Sequence, residues 1–276
     1  MDTQSSRGPG TRLDALSRRR LMQIGGSLGL AATLGACAGE IEPASAPTAS
    51  STNATPAPPP QPAAVTPLPL EPVPATTMSS EQPMAQICRQ AWGAAPARAG
   101  GRPHTITRMT LHHSAVVLGE NRLAPSRLRQ HQRYHQNDHG WIDIAYHVGV
   151  DRNGNIYELR TPELAGDTAT NYDPAGHFLV LCEGDFDQEP VSVAQLAGVA
   201  TAFAWAVQQF HVASGTLGGH RDFADTSCPG ANLYAHLTSG DLHTRIDALL
   251  AAGPVDLQRL CGQEAATKVA EIEAGQ

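Results

Sequence analysis

The feature that most constrains this chain of 276 residues is a change of composition near residue 83. Residues 38–83 are rich in Pro, Ala, Ser and Thr, so they contain too little apolar surface to offset the entropy of ordering. We expect them to form a disordered, partly polyproline tether. Residues 84–251 then form one domain of ordinary size, and residues 252–276 form a C-terminal tail without a clear assignment.

Residues 1–37 carry the features of an export signal. A twin-arginine pattern at 17–22 precedes an apolar stretch at 24–34, which is too short and too glycine-rich to span a bilayer permanently. The sequence Leu-Gly-Ala-Cys that ends at Cys37 resembles the lipobox of bacterial lipoproteins. This order of features predicts export to the periplasm and a lipid on Cys37 that anchors the protein to a membrane of the cell envelope. The alternative is a basic tail beside a chance run of small residues.

The charge balance excludes one class of partner. The formal net charge is -7 and the isoelectric point is near 5.9. Binding to a phosphate backbone needs a basic surface, so we expect no nucleic-acid partner. A monomer is the default expectation for the oligomeric state.

Strand-like and helix-like patterns alternate within residues 84–251. Asn153-Gly154 is a strong hairpin-turn signal, and Ser192 followed by Gln195 is a capping-box signal that opens the clearest helix. Interleaved strands and helices predict an α/β domain with a single mixed central sheet flanked by helices. Strands are predicted over 106–113, 144–150, 155–160 and 178–183, and helices over 124–137, 192–210 and 241–251.

Two adjacent histidines, His112 and His113, end the first predicted strand. Successive strand residues face opposite sides of a sheet. Because Met109 and Leu111 share the side of His113, we expect His113 to pack in the core and His112 to be free as a metal ligand. A histidine pair alone is a weak signal, and a purely structural role is the alternative.

Two further candidate ligands, His220 and Cys228, bracket a short loop. With His112 they form a His, His, Cys set suited to Zn2+, and three protein ligands leave a fourth position for water, as in catalytic sites. Zinc lowers the pKa of bound water and so supplies hydroxide that attacks an amide carbonyl. The alternative for Cys228 is a disulfide, since an oxidising compartment permits one.

The other cysteines help to decide whether Cys228 forms a disulfide. Cys88 and Cys261 flank the domain, and because chain ends often lie close together we pair them in a disulfide. Cys182 lies within a predicted buried strand and is expected to be an inert core thiol. Cys228 is then left for the metal.

Tyr146 lies in the segment Gly140-Trp141-Ile142-Asp143-Ile144-Ala145-Tyr146-His147. A tyrosine on a strand more often packs in the core than takes part in catalysis. Its phenol is also suited to donate a hydrogen bond to the charge that develops on a scissile carbonyl oxygen.

Together these motifs resemble the superfamily of N-acetylmuramoyl-L-alanine amidases and peptidoglycan recognition proteins. The similarity extends from Trp92 to Tyr234, nearly the whole expected domain. The motifs are Trp-Gly-Ala at 92–94, Leu-His-His-Ser at 111–114, His135 five residues before Gly140-Trp141, the Tyr146 segment, the hairpin at 151–154, and Gly-His-Arg-Asp at 219–222 with Thr-Ser-Cys-Pro-Gly at 226–230.

The resemblance implies hydrolysis of the amide between N-acetylmuramic acid and L-alanine in peptidoglycan or muropeptides. It implies that His112, His220 and Cys228 are the zinc ligands and that Tyr146 assists at the carbonyl. Thr226 occupies the position at which relatives carry Thr or Lys beside the metal. Non-catalytic relatives typically lose the cysteine ligand, often to Ser, so the presence of Cys228 favours an enzyme.

The chain departs from the family pattern at two places. Thr168-Ala169 aligns with a His-Ala pair that relatives often carry, which puts that histidine's contact with substrate in doubt. Cytosolic relatives use a strand glutamate as general base, and Leu181 occupies that position. Glu183 lies two residues on, hence on the same face, and we predict that it lines the cleft and orients the attacking water. The competing interpretation is an ordinary surface carboxylate.

Other functions compete with this one. A lipoprotein that binds peptidoglycan without cutting it would need a lost ligand or an occluded cleft. A zinc hydrolase acting on another acyl-amino bond is a further alternative. A structural zinc site would need a fourth protein ligand, and we expect none, because His113 and His147 face away.

Overall fold

The computed structural model describes residues 84–276. The predicted signal peptide and tether, residues 1–37 and 38–83, lie outside the described residues.

One sheet organises the described part of the chain. Its seven strands lie in the order β6-β2-β5-β3-β4-β1-β7, and only the β3–β4 pair is antiparallel. The predicted single mixed sheet is therefore confirmed. The strands are β1 (Met84–Ile87), β2 (Arg108–His113), β3 (Val148–Val150), β4 (Ile156–Glu158), β5 (His177–Cys182), β6 (Leu217–Gly219) and β7 (Leu257–Leu260).

Within residues 84–276, five α-helices cover the two faces of the sheet. Helices α2, α3 and α4 contribute buried residues to one core with one face of the sheet, and α1 and α5 contribute to a second core on the other face. The flanking layers that the sequence predicted are thus present. The helices are α1 (Ala124–Asn137), α2 (Val193–Phe210), α3 (Ala231–Thr238), α4 (Asp241–Ala252) and α5 (Gly262–Glu273).

The N-terminus of α2 shows half of the expected capping box. The Ser192 hydroxyl accepts the backbone N–H of Gln195 at 2.9 Å, as predicted. The Gln195 side chain does not return to Ser192. Its Nε2 donates to the carbonyls of Val150 and Glu183, both at 3.1 Å, because the helix starts against the ends of β3 and β5. Gln195 therefore ties the helix to the sheet.

Residues beyond 251, placed in a tail by the sequence analysis, form part of the same sheet and core. Strand β7 pairs in parallel with β1, and α5 buries Ala265, Val269 and Ile272 beside Trp92. The expected disulfide between Cys88 and Cys261 is present, with Cα atoms 5.0 Å apart. It joins the residue after β1 to the residue before α5.

Within residues 84–276, no helix combines the length and the apolar character needed to cross a bilayer.

Candidate functional site

The pair His112 and His113 lies at the end of β2, between β5 and β6. Both side chains are buried. Nδ1 of His113 accepts the backbone N–H of Phe186 at 3.3 Å, and Phe186 belongs to the core under α2. His112 points to the other face, where its ring lies 4.6 Å from the ring of His220. The alternation predicted from the strand pattern is therefore observed.

Cys228 completes the group around His112. Its Sγ lies 3.6 Å from Nδ1 of His112 and accepts the backbone N–H of His113 at 3.4 Å. Ligand atoms from His112, His220 and Cys228 all lie within 4.8 Å of one another, and all three residues are buried. The structure thus brings together the three predicted ligands, of which His112 and Cys228 are 116 positions apart.

The loop that carries Cys228 is held by backbone contacts. The N–H of Arg221 donates to the carbonyl of Cys228 at 2.9 Å, which closes the loop after His220. Gly230 has φ +86°, and a Cβ there would lie 2.6 Å from the backbone of Phe186. Only glycine permits this close approach without strain, so Gly230 lets the loop lie against the segment that follows β5.

The chemistry of these three side chains fits zinc. Nδ1 of His112 faces Sγ of Cys228 at 3.6 Å, so two of the three donor side chains present their ligand atoms to one another. Burial lowers the pKa of His220 to about 4, and burial with the nearby His220 lowers the pKa of His112 well below its ordinary value. Both imidazoles are therefore neutral at pH 7, which is the form that binds a metal. Two imidazoles and a thiol are a donor set that zinc prefers.

Burial also raises the pKa of the Cys228 thiol to about 12. Without a cation the thiol keeps its proton, and a bound metal would displace it, since the thiolate is the form that ligates. The backbone N–H of His113 already points at the sulfur and favours the thiolate.

Tyr146 lies in the wall of the same cleft. Its ring is 5.0 Å from that of His112, and its hydroxyl makes no hydrogen bond within the described residues. Burial raises the pKa of this phenol well above its usual range. The hydroxyl therefore stays protonated and is a donor that no protein acceptor occupies.

Thr226 also lines the cleft, next to the cysteine. Its Oγ1 accepts the backbone N–H of Cys228 at 3.2 Å. This bond orients the hydroxyl and leaves its hydrogen free to donate.

Glu183 lies elsewhere than either sequence interpretation placed it. It is 1% exposed, so it is not a surface carboxylate. It is not among the residues that line the cleft, because α1 covers this face of the sheet and brings His131 to 3.3 Å from its Oε2. Its predicted role in orienting the attacking water stays a prediction.

The cleft has a volume of about 340 Å³ and an aromatic rim. The rings of His139 and Trp141 stack with centroids 4.3 Å apart, and His135 and the exposed Tyr134 lie beside them. A second cavity of about 500 Å³ shares Trp141 and the loop around Thr168 with the first. The two cavities are therefore adjacent, and we call them together the groove.

Sequence reasoning missed Thr170, which is hydrogen-bonded to His220. It also assigned no role to His139, although the spacing of His131, His135 and His139 places the three on one side of α1 and its end.

The hydrogen bonds of His147 show that it has a structural role, because its two ring nitrogens bond the backbone of Leu179 and Leu164 at 3.0 Å each.

Comparisons with known proteins agree with this arrangement. The family model described as N-acetylmuramoyl-L-alanine amidase matches residues 102–231, which include all three candidate ligands. Peptidoglycan-recognition protein LB of Drosophila melanogaster is 31% identical over 170 residues, covering 58% of this chain and 71% of that protein. N-acetylmuramoyl-L-alanine amidase of Sus scrofa is 30% identical over 158 residues, covering 53% of this chain and 25% of that protein.

A solved structure of a Drosophila PGRP-LB mutant in complex with tracheal cytotoxin has the same fold. It matches with a TM-score of 0.51 at 25% identity, and the match covers 56% of this chain and 93% of that one.

Proposed function

Because this chain belongs to the superfamily of N-acetylmuramoyl-L-alanine amidases and peptidoglycan recognition proteins, we propose that it is a zinc-dependent amidase. Its substrate is the amide between N-acetylmuramic acid and L-alanine in peptidoglycan or muropeptides. The observation that carries the proposal is the convergence of His112, His220 and Cys228 at the wall of an open cleft. Relatives that only recognise peptidoglycan share the fold, so the complete ligand set is the feature that favours catalysis.

His112, His220 and Cys228 would hold the metal at the wall of the cleft. Zinc bound by three protein ligands polarises a carbonyl and lowers the pKa of a water molecule towards neutrality. The buried surroundings of His112 and Cys228 exclude bulk water and strengthen the electrostatic interactions of the site.

Tyr146 stabilises the transition state. Its unpartnered hydroxyl donates a hydrogen bond to the carbonyl oxygen as negative charge develops there. Because its pKa is raised by burial, the phenol remains a donor throughout the working pH range of an envelope enzyme. Thr226 holds the loop of Cys228 in place and offers a second donor to the substrate.

The groove on either side of Trp141 has room for more than the scissile amide. The Drosophila PGRP-LB neighbour binds tracheal cytotoxin, a monomeric diaminopimelic acid-type peptidoglycan, on the same fold. We place the glycan and the stem peptide in the two adjacent cavities, which meet at Trp141 and Thr168.

The test is release of L-alanine-linked peptides from purified peptidoglycan by the full-length chain, with zinc quantified in the same sample. We expect one zinc per chain, and we expect Cys228→Ser to lose both zinc and release while its circular dichroism is unchanged. A wild-type chain that binds peptidoglycan with zinc present, but releases nothing from several substrates, would support the alternative of a non-catalytic binding lipoprotein.

The location of the enzyme is a separate proposal. The sequence features at residues 1–37 favour export and a lipid on Cys37, which would hold the domain in the envelope near its substrate. Cys37→Ala is expected to move the exported protein from the membrane fraction to the soluble periplasmic fraction. If the variant stays with the membranes, the lipid anchor is wrong.

A further inference from the structure

A chain of two hydroxyls leads away from the candidate ligand His220. Oγ1 of Thr170 lies 2.8 Å from Nε2 of His220. Oγ1 of Thr168 lies 2.7 Å from that of Thr170, and it also accepts the backbone N–H of Thr170 at 3.0 Å. The same loop therefore holds the two threonines to each other and to the imidazole.

No other side chain takes this place. Among the described residues, Thr170 is the only hydrogen-bond partner of the His220 ring. Asp222 is near in sequence but accepts the backbone N–H of Gly219 at 2.7 Å and the hydroxyl of Tyr234. Thr226 bonds the backbone of Cys228 instead. The hydrogen-bonding of His220 thus depends on Thr170.

The ring of His220 is also fixed by packing. Its centroid lies 5.0 Å from that of Tyr172, which belongs to the same loop as Thr170, and 4.6 Å from that of His112. The loop of residues 168–172 therefore restrains both the position of the imidazole and the direction of its Nε2.

We infer that Thr170 is a positioning residue for the metal ligand His220: it accepts the Nε2–H and so fixes the tautomer whose Nδ1 lone pair is free for the metal. The two nitrogens of a neutral imidazole are distinct, and the hydrogen bond of one decides which form the other takes. A partner of this kind restrains the ring and raises the basicity of the ligating nitrogen. The inference rests on the proposed zinc site.

The hydrogen-bond directions along the chain are consistent with this role. If Nε2 of His220 donates to Thr170, then the Thr170 hydroxyl has its own hydrogen to give to Thr168. Thr168 accepts that hydrogen together with the Thr170 N–H, and its own hydroxyl hydrogen is left for the cleft, which it lines. In this arrangement the Thr168 hydroxyl hydrogen is the one that no acceptor among the described residues takes.

The experiment compares Thr170→Val with Thr170→Ser and Thr168→Val in the full-length chain. Valine keeps the shape of threonine and removes the hydroxyl, whereas serine keeps the hydroxyl. Zinc affinity is measured by competition with a chromogenic chelator. We expect Thr170→Val to weaken zinc binding about tenfold to a hundredfold, Thr170→Ser to restore most of it, and Thr168→Val to have a smaller effect.

A second measurement needs no metal. Nitrogen-15 NMR of histidine-labelled, metal-free protein distinguishes the two tautomers of His220. We expect the Nε2–H form in the wild type and a mixture in Thr170→Val, with Thr170→Ala as the substitute if the valine variant does not fold.

Two outcomes separate this inference from the proposed function. Wild-type zinc affinity and an unchanged tautomer in Thr170→Val would overturn the role of Thr170 alone. A wild-type chain that binds no zinc would overturn the zinc site, and this inference with it.

Discussion

Oε2 of Glu183 lies 3.3 Å from Nε2 of His131, which bonds the residue after β5 to helix α1. The Glu183 side chain is fully buried, and that of His131 is 15% exposed. Oε1 of Glu183 has no hydrogen-bond partner among the described residues. Because a buried carboxylate without a partner is costly, this contact supports the packing of α1 on the sheet.

The position of Glu183 predicts a structural effect for Glu183→Gln. The amide keeps the shape and loses the charge, so we expect turnover close to wild type and a loss of about 1–3 kcal/mol in the free energy of unfolding. Urea denaturation and peptidoglycan turnover on the same samples test this, with the exposed Glu163→Gln as control. A loss of about a hundredfold in turnover at unchanged stability would instead establish a role in proton transfer.

Because the disulfide between Cys88 and Cys261 lies directly before α5, we expect the stability of this helix to depend on the oxidation of the two cysteines. The disulfide closes a loop across 173 positions, and a loop of this length stabilises the folded state by about 3–5 kcal/mol. We expect the Cys88→Ala, Cys261→Ala double variant to unfold at lower temperature and to be cleaved first between α4 and α5 in limited proteolysis. A reducing agent should lower the melting temperature of the wild type and leave that of the double variant unchanged. Equal melting temperatures for the wild type and the double variant, both measured without a reducing agent, would contradict the prediction.

Much of the fold could be predicted because local pattern and tertiary environment agree. Helix α2 repeats apolar residues at helical spacing, and Leu196, Val199 and Phe203 are buried against the sheet. Strand β6 could not be found, since two of its three residues are glycine and it forms only by pairing with β2. Helix α5 did leave a signal: Ala265, Val269 and Ile272 recur at helical spacing.

The residues of the candidate site also divide into those that the local pattern predicts and those that it does not. Strand alternation separates His112 from His113, so local geometry was sufficient there. It also placed Glu183 on the correct face, but the sequence does not show that α1 covers that face and removes the carboxylate from the cleft. Thr170 lies on a loop without regular structure, and its contact with His220 exists only in the folded chain. Residues whose role depends on a long-range contact were the ones missed.

His147 predicts a loss of stability in acid. Burial lowers its pKa to about 3 in the folded chain, against about 6.5 when unfolded. Between these values the unfolded chain takes up a proton at His147 that the folded chain does not. His147 alone therefore lowers the free energy of unfolding by about 1.4 kcal/mol per pH unit as the pH decreases. The amide of His147→Gln can replace both backbone hydrogen bonds but does not titrate. We therefore expect this variant to lose the contribution of one proton to the slope, about 1.4 kcal/mol per pH unit. Denaturation of both proteins between pH 7 and pH 4 measures the slope. An unchanged slope in His147→Gln would contradict the assignment.

Tyr146→Phe separates catalysis from metal binding. The change removes the free hydroxyl and keeps the ring beside His112. Since the lost hydrogen bond forms only as charge develops on the carbonyl oxygen, we expect kcat to fall about a hundredfold to a thousandfold. Zinc content and KM should stay near wild type, because the phenol is not a ligand. Tyr134→Phe removes an exposed phenol from the rim of the same cleft and should leave kcat unchanged. If Tyr146→Phe kept full kcat, transition-state stabilisation would have to come from the metal and Thr226 alone.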